Sequence, residues 1–396
     1  MLMKQFSLIL FLIFFFAQPS KCFAQIQAKR ITSFSFSTLT GGTIILKAQL
    51  DNFTDTLNFI FDTGSGGISL DSSTVAALQL VPEKSDRIIK GIAGIRKLDF
   101  LYNHSLKFKK LTVDSLDFHI NNYSILSSAY GVKIDGVIGL SFLRRYIVKV
   151  NYDNNVMEVY EPGFITYPKR GHLLKPNFAV LPTINIKLNK KDTAIENLIF
   201  DTGAGLNLLL TDDYVKDSCV LNPKRKVFTT QAEGLGGKKI MQTTVINKIT
   251  VGPYKFRLVP TYIFKDEFNV INYPHTLGVI GNDILRRFNL IINYPSKEIY
   301  IKPNTHFFDD FDYSYTGLGL YQINEQIRIE DVVAGSPADK AGLKPDDIVF
   351  AIDNNFTNSM QTYKQALQSA GNTIKILILR NGEPITTTLY IEHLLH

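Results

Sequence analysis

Short runs in which apolar and polar residues alternate fill most of the chain, and a period of two marks half-buried strands. Ile44-Ile45-Leu46-Lys47-Ala48-Gln49-Leu50 is one such run, within a stretch from Gly42 to Leu50, and Leu181 to Leu188 is another. Helical spacing is confined to brief segments. Ser72-Ser73 opens one that carries Val75, Ala76 and Leu78, while Ser141 to Arg145 and Asp283 to Arg287 predict two more. Ser359 to Ala370 predicts a longer helix, with a polar start, apolar Tyr363, Ala366 and Leu367, and Gly371 as its stop. Ile374 to Leu379 follows as a strand, and Asn381-Gly382 suits a tight hairpin turn. The expected fold is mostly β, in keeping with the many β-branched and aromatic residues.

The first residues break this pattern. Lys4 precedes an almost unbroken apolar run from Phe6 to Ala17, and Phe23-Ala24 stands before Gln25. Residues 1–24 are expected to be a cleaved secretory signal, which makes the protein an exported one: periplasmic, extracellular or associated with the outer surface. A membrane anchor is the alternative. Cys22 leaves with the signal, so Cys219 stands alone and is expected to be a buried structural thiol.

Composition narrows the chemistry. The 396 residues are 45% hydrophobic and 12% aromatic, a globular composition with room for two or three cores. The formal charge of +7 is scattered, and the clusters Lys107, Lys109, Lys110 and Lys224, Arg225, Lys226 read as solvated faces, so no nucleic-acid partner is expected. The seven histidines form no His-Glu-x-x-His and the cysteines no pair, so no metal is expected. Gly-x-Gly-x-x-Gly before a helix and Gly-x-Ser-x-Gly are both lacking, and no cofactor is expected.

The informative feature is an internal duplication. Asn58-Phe59-Ile60-Phe61-Asp62-Thr63-Gly64-Ser65-Gly66 recurs as Asn197-Leu198-Ile199-Phe200-Asp201-Thr202-Gly203-Ala204-Gly205. Gly136-Val137-Ile138-Gly139 through Arg144-Arg145-Tyr146 recurs at nearly the same offset as Gly278-Val279-Ile280-Gly281 through Arg286-Arg287-Phe288, and each copy runs on to an Asn-Tyr pair, Asn151-Tyr152 and Asn293-Tyr294. Two homologous β lobes follow, residues 25–162 and 163–303, joined through the proline- and glycine-rich stretch from Glu161 to Pro176. Ser65 becomes Ala204 in the second copy, which marks Ser65 as structural rather than nucleophilic.

Two Asp-Thr-Gly motifs, each with an apolar-apolar-Gly partner downstream, resemble the pepsin/retropepsin superfamily of aspartic peptidases. The resemblance covers about Ile31 to Pro303. It implies acid-protease-like lobes, an endopeptidase acting on peptides or unfolded proteins, and Asp62 and Asp201 as the catalytic pair. It also implies that the Thr63 and Thr202 hydroxyls tie the two loops together, while Gly64 and Gly203 lend backbone amides to the carboxylates. A hairpin flap is implied too, with Gly91, Ile92 and Gly94 as its position match in lobe one and Leu235 and Gly236 in lobe two. Lobe one's candidate flap has no tyrosine, which favours the retropepsin side of the superfamily. Both aspartates lie on one chain, so a monomer is expected to build the site. Physical chemistry agrees: two carboxylates brought close cannot both ionise easily, so one takes a proton from water while the other donates one to the substrate.

Residues 304–396 form a third unit. After an acidic and aromatic bridge from Phe307 to Tyr313, Tyr315-Thr316-Gly317-Leu318-Gly319-Leu320 leads to Gly335-Ser336-Pro337-Ala338, Ala341-Gly342-Leu343 and Asp346-Asp347-Ile348-Val349. This resembles the PDZ domains attached to secreted bacterial proteases, small α/β units. By that resemblance Gly317, Leu318, Gly319 and Leu320 form the carboxylate loop and the following strand, with a C-terminal peptide as ligand. The main alternative to an enzyme is a secreted, non-catalytic peptide-binding scaffold. A further alternative is a latent enzyme whose Gln25 to Phe36 segment blocks the cleft.

Overall fold

Strand Ile44–Leu50 buries alternate side chains and pairs antiparallel with Leu57–Phe61. The order continues through Gly136–Ile138, Ile68–Asp71, Leu111–Asn121 and Phe100–Phe108, which pairs back onto Ile44–Leu50 and closes a six-stranded ring. The second half repeats this with Pro182–Leu188, Glu196–Phe200, Gly278–Ile280, Leu208–Thr211, Tyr254–Phe264 and Gly237–Val251. Closure leaves these strands no unpaired edge and turns one face of each inward. Phe59, Phe61, Phe118 and Phe200 fill the interiors and are fully buried. These relations belong to a computed structural model that describes residues 26–392, apart from 93, 179, 189–195, 235–236, 273 and 314. The expected signal, residues 1–24, lies outside the described residues, and no described helix is long and apolar enough to cross a membrane.

A six-stranded sheet joins the halves, three strands from each. Its order is Arg30–Ser35, Val156–Tyr160, Ile147–Asn151, Phe288–Asn293, Glu298–Pro303 and His172–Leu174. At its centre Ile147 faces Asn293 and Val150 faces Leu290 in antiparallel register. Val148, Val150, Leu290 and Ile292 are buried there, and one apolar cluster runs through both rings and this sheet. Two sequence expectations change as a result. The stretch read as a linker contributes strand His172–Leu174. Of the segment suspected of blocking the cleft, Arg30–Ser35 is instead paired antiparallel along Val156–Tyr160 as the edge strand of this sheet, with a register shift between Arg30 and Thr32.

The helices start close to their expected positions but are short. Ser72–Ala77 is capped by Asp71, which accepts from the Ser73 amide at 2.9 Å. Leu140–Leu143 and Asn282–Leu285 begin directly after Gly139 and Gly281. Cys219 is a correction: it is exposed, because it sits just past helix Asp212–Ser218 in the left-handed region at φ 49° and turns away from the core.

Residues from Leu318 onward form a five-stranded sheet in the order Leu318–Ile323, Gln326–Val332, Ile348–Ile352, Thr373–Arg380 and Glu383–Tyr390, with helices Pro337–Lys340 and Met360–Ala366. Ser336 caps the first helix and Ser359 the second. Asn381 and Gly382 both have positive φ, as a type I′ hairpin turn requires. Asp347, almost fully buried, receives two 2.7 Å bonds from Arg380.

Gly281 tests the close packing of the repeat. A Cβ built there would lie 2.1 Å from the Leu206 carbonyl oxygen, whereas one on Gly66 meets nothing within 4 Å. Gly281→Ala is expected to cost about 3 kcal/mol or more, and Gly66→Ala less than about 0.5 kcal/mol, in chemical denaturation of the purified proteins.

Candidate active site

The two Asp-Thr-Gly turns meet head to head between the rings. Strand Leu57–Phe61 delivers Asp62, whose amide donates to Ile138 O at 2.9 Å, and Glu196–Phe200 delivers Asp201, whose amide donates to Ile280 O at 3.1 Å. The apolar-apolar-Gly segments therefore lie directly behind the loops. Gly139 and Gly281 are glycines because loop carbonyls press on them: Ser65 O would lie 2.5 Å from a Cβ at Gly139.

Four buried hydrogen bonds join the turns. The Thr63 amide donates to Thr202 Oγ1 at 3.1 Å and the Thr202 amide to Thr63 Oγ1 at 3.0 Å. The Thr63 hydroxyl donates to Phe200 O at 2.6 Å and the Thr202 hydroxyl to Phe61 O at 3.0 Å. Each threonine thus reaches the strand that ends on the opposite aspartate. Gly64 N donates to Asp62 Oδ1 at 2.6 Å, and Gly203 N to Asp201 Oδ1 at 2.8 Å, with Ala204 N adding a bond at 3.0 Å. A Cβ on Gly64 would fall 2.3 Å from Asp201 Oδ2, and one on Gly203 would fall 2.3 Å from Asp62 Cγ. Glycine at both positions is what lets the two carboxyls approach each other.

Both aspartates keep part of their surface open to a cleft of about 950 Å³ while the rest is enclosed. Loss of solvation is the largest cause raising the Asp62 pKa well above its ordinary value, followed by the charge of Asp201 and the hydrogen bond between them. Asp201 is raised as well, again mainly by loss of solvation, but its bonds from Asp62 and from the Gly203 and Ala204 amides pull the other way. The pair thus holds one proton more readily than two separate carboxylates would.

The lobe-one flap candidate is a hairpin, Ile88–Gly91 with Gly94–Lys97, standing apart from the ring as its own two-stranded sheet with Gly91 opposite Gly94. Ile92 at its tip packs on lobe two, against the cluster of Ile199, Leu209, Met241 and Val279. In lobe two, Leu235 and Gly236 lie outside the described residues; the strands that flank them, Phe228–Gly234 and Gly237–Val251, pair as far as Gly234 with Gly237. Gly317, at φ 77°, has no room for a side chain: a Cβ would lie 2.4 Å from Ser336 Cβ. Gly317 to Leu320 border the same cleft as Asp62 and Asp201.

Some of the site was not read from the residues. His119, counted among scattered histidines, lines the cleft, and burial pushes its pKa down to about 4, so it is neutral at physiological pH. Asp283 was read only as a helix start, yet it is fully buried and accepts from Arg286 Nε at 2.6 Å, from the Asp312 amide at 2.9 Å and from the Asn207 side chain. Asp312 in turn accepts from Gly41 N at 2.5 Å and from Gln368. A signal existed: Leu140-Ser141 in the first copy becomes Asn282-Asp283 in the second, a break in an otherwise close repeat.

Comparison with known proteins agrees with this architecture. A family model described as aspartyl protease matches residues 46–142 and 184–284, together half of the chain, and the chain belongs to that family. A PDZ domain model matches residues 328–389. The serine protease Do-like HtrA of Bacillus subtilis (strain 168) is 33% identical over 86 residues, 20% of this chain and 19% of that protein. The periplasmic pH-dependent serine endoprotease DegQ of Escherichia coli (strain K12) is 36% identical over 59 residues, 15% of this chain and 13% of its own length. The chain thus spans less than a fifth of either relative, and the serine chemistry belongs to those proteins.

Two outcomes follow from the geometry. Thr202→Val keeps the shape but leaves the Thr63 amide and the Phe61 carbonyl without their partner, and is expected to cost about 1–3 kcal/mol in denaturant unfolding. Asp62 titrates near 3.8 when unfolded and higher when folded, so its protonation stabilises the fold below 3.8 and that contribution is lost as pH rises through the folded value. The Tm of Asp62→Asn should therefore rise relative to wild type between acid and neutral pH; parallel melting curves from pH 3 to pH 8 would remove the basis for the shift.

Proposed function

We propose that the protein is an aspartic endopeptidase that hydrolyses peptide bonds with a water held between Asp62 and Asp201. The observation that carries this reading is the reciprocal packing of the two turns, in which each glycine stands against the opposite carboxyl and each threonine grips the opposite strand. In this reading the ionised member of the pair takes a proton from water as its oxygen bonds to the scissile carbonyl carbon. The protonated member donates to the substrate, and when the C–N bond breaks the leaving nitrogen is protonated. The pair shares the roles, so neither aspartate is assigned acid or base alone. Thr63, Gly64, Thr202 and Gly203 are positioning residues.

The substrate is a peptide or unfolded protein in extended form, held under the hairpin tip at Gly91, Ile92 and Gly94. Ile60, Phe100 and Val137 on one wall and Ile199, Leu209 and Val279 on the other favour apolar side chains beside the scissile bond. One chain carries both turns, so a monomer suffices. The domain limits are those read from the sequence: 25–162, 163–303 and 304–396. An exported location, periplasmic or extracellular, is part of the same proposal. It rests on the apolar run that opens the chain, with slight support from the short match to a periplasmic endoprotease.

The test is cleavage of a mixed peptide library from pH 3 to pH 8 by the wild type, Asp62→Asn and Asp201→Asn. Each variant is expected to lose at least about 10³-fold in kcat/KM. The pH profile should be bell-shaped, with its basic limb well above the ordinary carboxylate range, because that limb reports loss of the shared proton from the pair in which Asp62 is raised. A folded wild type that cuts nothing, or variants that cut equally well, would refute the dyad.

A further inference from the structure

The cavity that holds Asp62 and Asp201 does not stop at the two rings. Its wall continues over Gly317 to Tyr321 and over Leu367 and Gln368, just beyond helix Met360–Ala366. That helix lies beside strand Leu318–Ile323 and forms with it the groove of the PDZ domain, making it the groove helix. Leu318–Ile323 is the edge strand of the PDZ sheet, the side on which a peptide strand can add. Peptide groove and aspartate cleft are therefore parts of one space of about 950 Å³.

Among the described residues, one end of the groove is filled by lobe one. Helix Ser124–Tyr130 of lobe one lies against strand Leu318–Ile323. Gly131, which ends that helix, fills the far end so tightly that a Cβ on it would fall 2.4 Å from Met360 Cβ and 2.9 Å from Gln322 Oε1. Gln361 Nε2 donates to Tyr130 O at 2.7 Å and Lys364 Nζ to Ala129 O at 2.7 Å, which locks the plug in place. Met360 begins the groove helix and Gln322 lies near the end of the edge strand, so the closed end is the one away from Gly317. A peptide cannot run the length of this groove. A strand added with its terminus at Gly317 to Gly319 runs toward that closed end, so beside Tyr321 its preceding residues must turn into the cavity that holds Asp62 and Asp201.

The open end also has a chemical preference. Leu318, Leu320, Val333 and Leu367 border it, a lining suited to an apolar last side chain. The stretch of strand that faces the cavity matches about four residues of an added peptide.

We infer that the aspartate cleft and the open end of the PDZ groove form a single substrate site, which takes peptides by a free C-terminal carboxylate with an apolar last residue and cuts them at a fixed short distance from that end. This rests on the reading of Asp62 and Asp201 as the hydrolytic pair. It adds that the terminus, as well as the sequence around the scissile bond, selects the point of cleavage.

The experiment uses the full-length wild-type protein and peptides that share one C-terminal sequence ending in leucine but differ in N-terminal length. Each is made as the free acid, as the C-terminal amide, and with a polar C-terminal extension. The same C-terminal fragment is expected from every free acid, and amidation or extension should lower kcat/KM about tenfold or more, chiefly through KM. In parallel, fluorescence anisotropy with Asp62→Asn should show tighter binding of the free acid than of the amide. Equal cleavage of acid and amide, at points that follow local sequence, overturns the inference and leaves the peptidase intact. If the wild type cuts none of them, the hydrolytic reading fails, and equal binding of acid and amide then overturns the terminus-binding reading as well.

Discussion

The exchange of hydrogen bonds between Thr63 and Thr202 is the constraint on which the rest of the molecule depends. Each ring closes through its own strands, but two carboxyls reach the same point only if the turns that carry them are held in register across the interface. Buried hydroxyls do this well because each both accepts from an amide and donates to a carbonyl, so the amides of Thr63 and Thr202 and the carbonyls of Phe61 and Phe200 all have partners. The arrangement brings two acidic groups together in an enclosed place, which would be unfavourable were both ionised. Raised pKa values are the consequence, and a shared proton is the state that relieves it.

Much of this was legible in the chain. The duplication located both turns and their backing segments, since a glycine under a carbonyl cannot be replaced without moving backbone, and Gly139 and Gly281 recur for that reason. The alternating runs at Ile44–Leu50 and Pro182–Leu188 gave ring strands in equivalent places. The shared six-stranded sheet was not legible, because its strands are short and their partners lie far apart in sequence: Ile147 pairs with Asn293, and Arg30 with Tyr160. Local pattern names a strand but not its neighbour. Cys219 was misread for a related reason, since one residue past a helix end the direction of a side chain depends on backbone conformation rather than on hydrophobicity.

Departures from the repeat proved as telling as the repeat itself. Arg145 of the first copy reaches the carbonyls of Asp114 and Ser115 within its own lobe. Its counterpart Arg287 is buried, lies 4.4 Å from the Phe311 ring centre, and donates to the carbonyls of Asp309 and Asp310 on the bridge to the PDZ domain. Asp283 and Asp312 continue the connection, from Asn207 behind the second Asp-Thr-Gly turn to Gly41 and Gln368. Burial, with the charge of Asp283 as the next cause, raises Asp312 to about 6. The second lobe kept the ring and altered the side chains that meet the third domain.

Those contacts join the three units around the cleft. The first hairpin closes by placing Ile92 on apolar residues of lobe two. The second is held near its tip by the PDZ domain: Lys238 pairs with Glu330 at 2.8 Å and lies 4.3 Å from the centre of the Tyr321 ring. Tyr321 belongs to the PDZ edge strand and borders the same cavity as the aspartates. A peptide strand added there would meet the ring on which the second hairpin leans. The PDZ edge strand, the hairpins and the carboxyl pair are therefore neighbours around one enclosure, joined there by the contacts of Ile92 and Lys238.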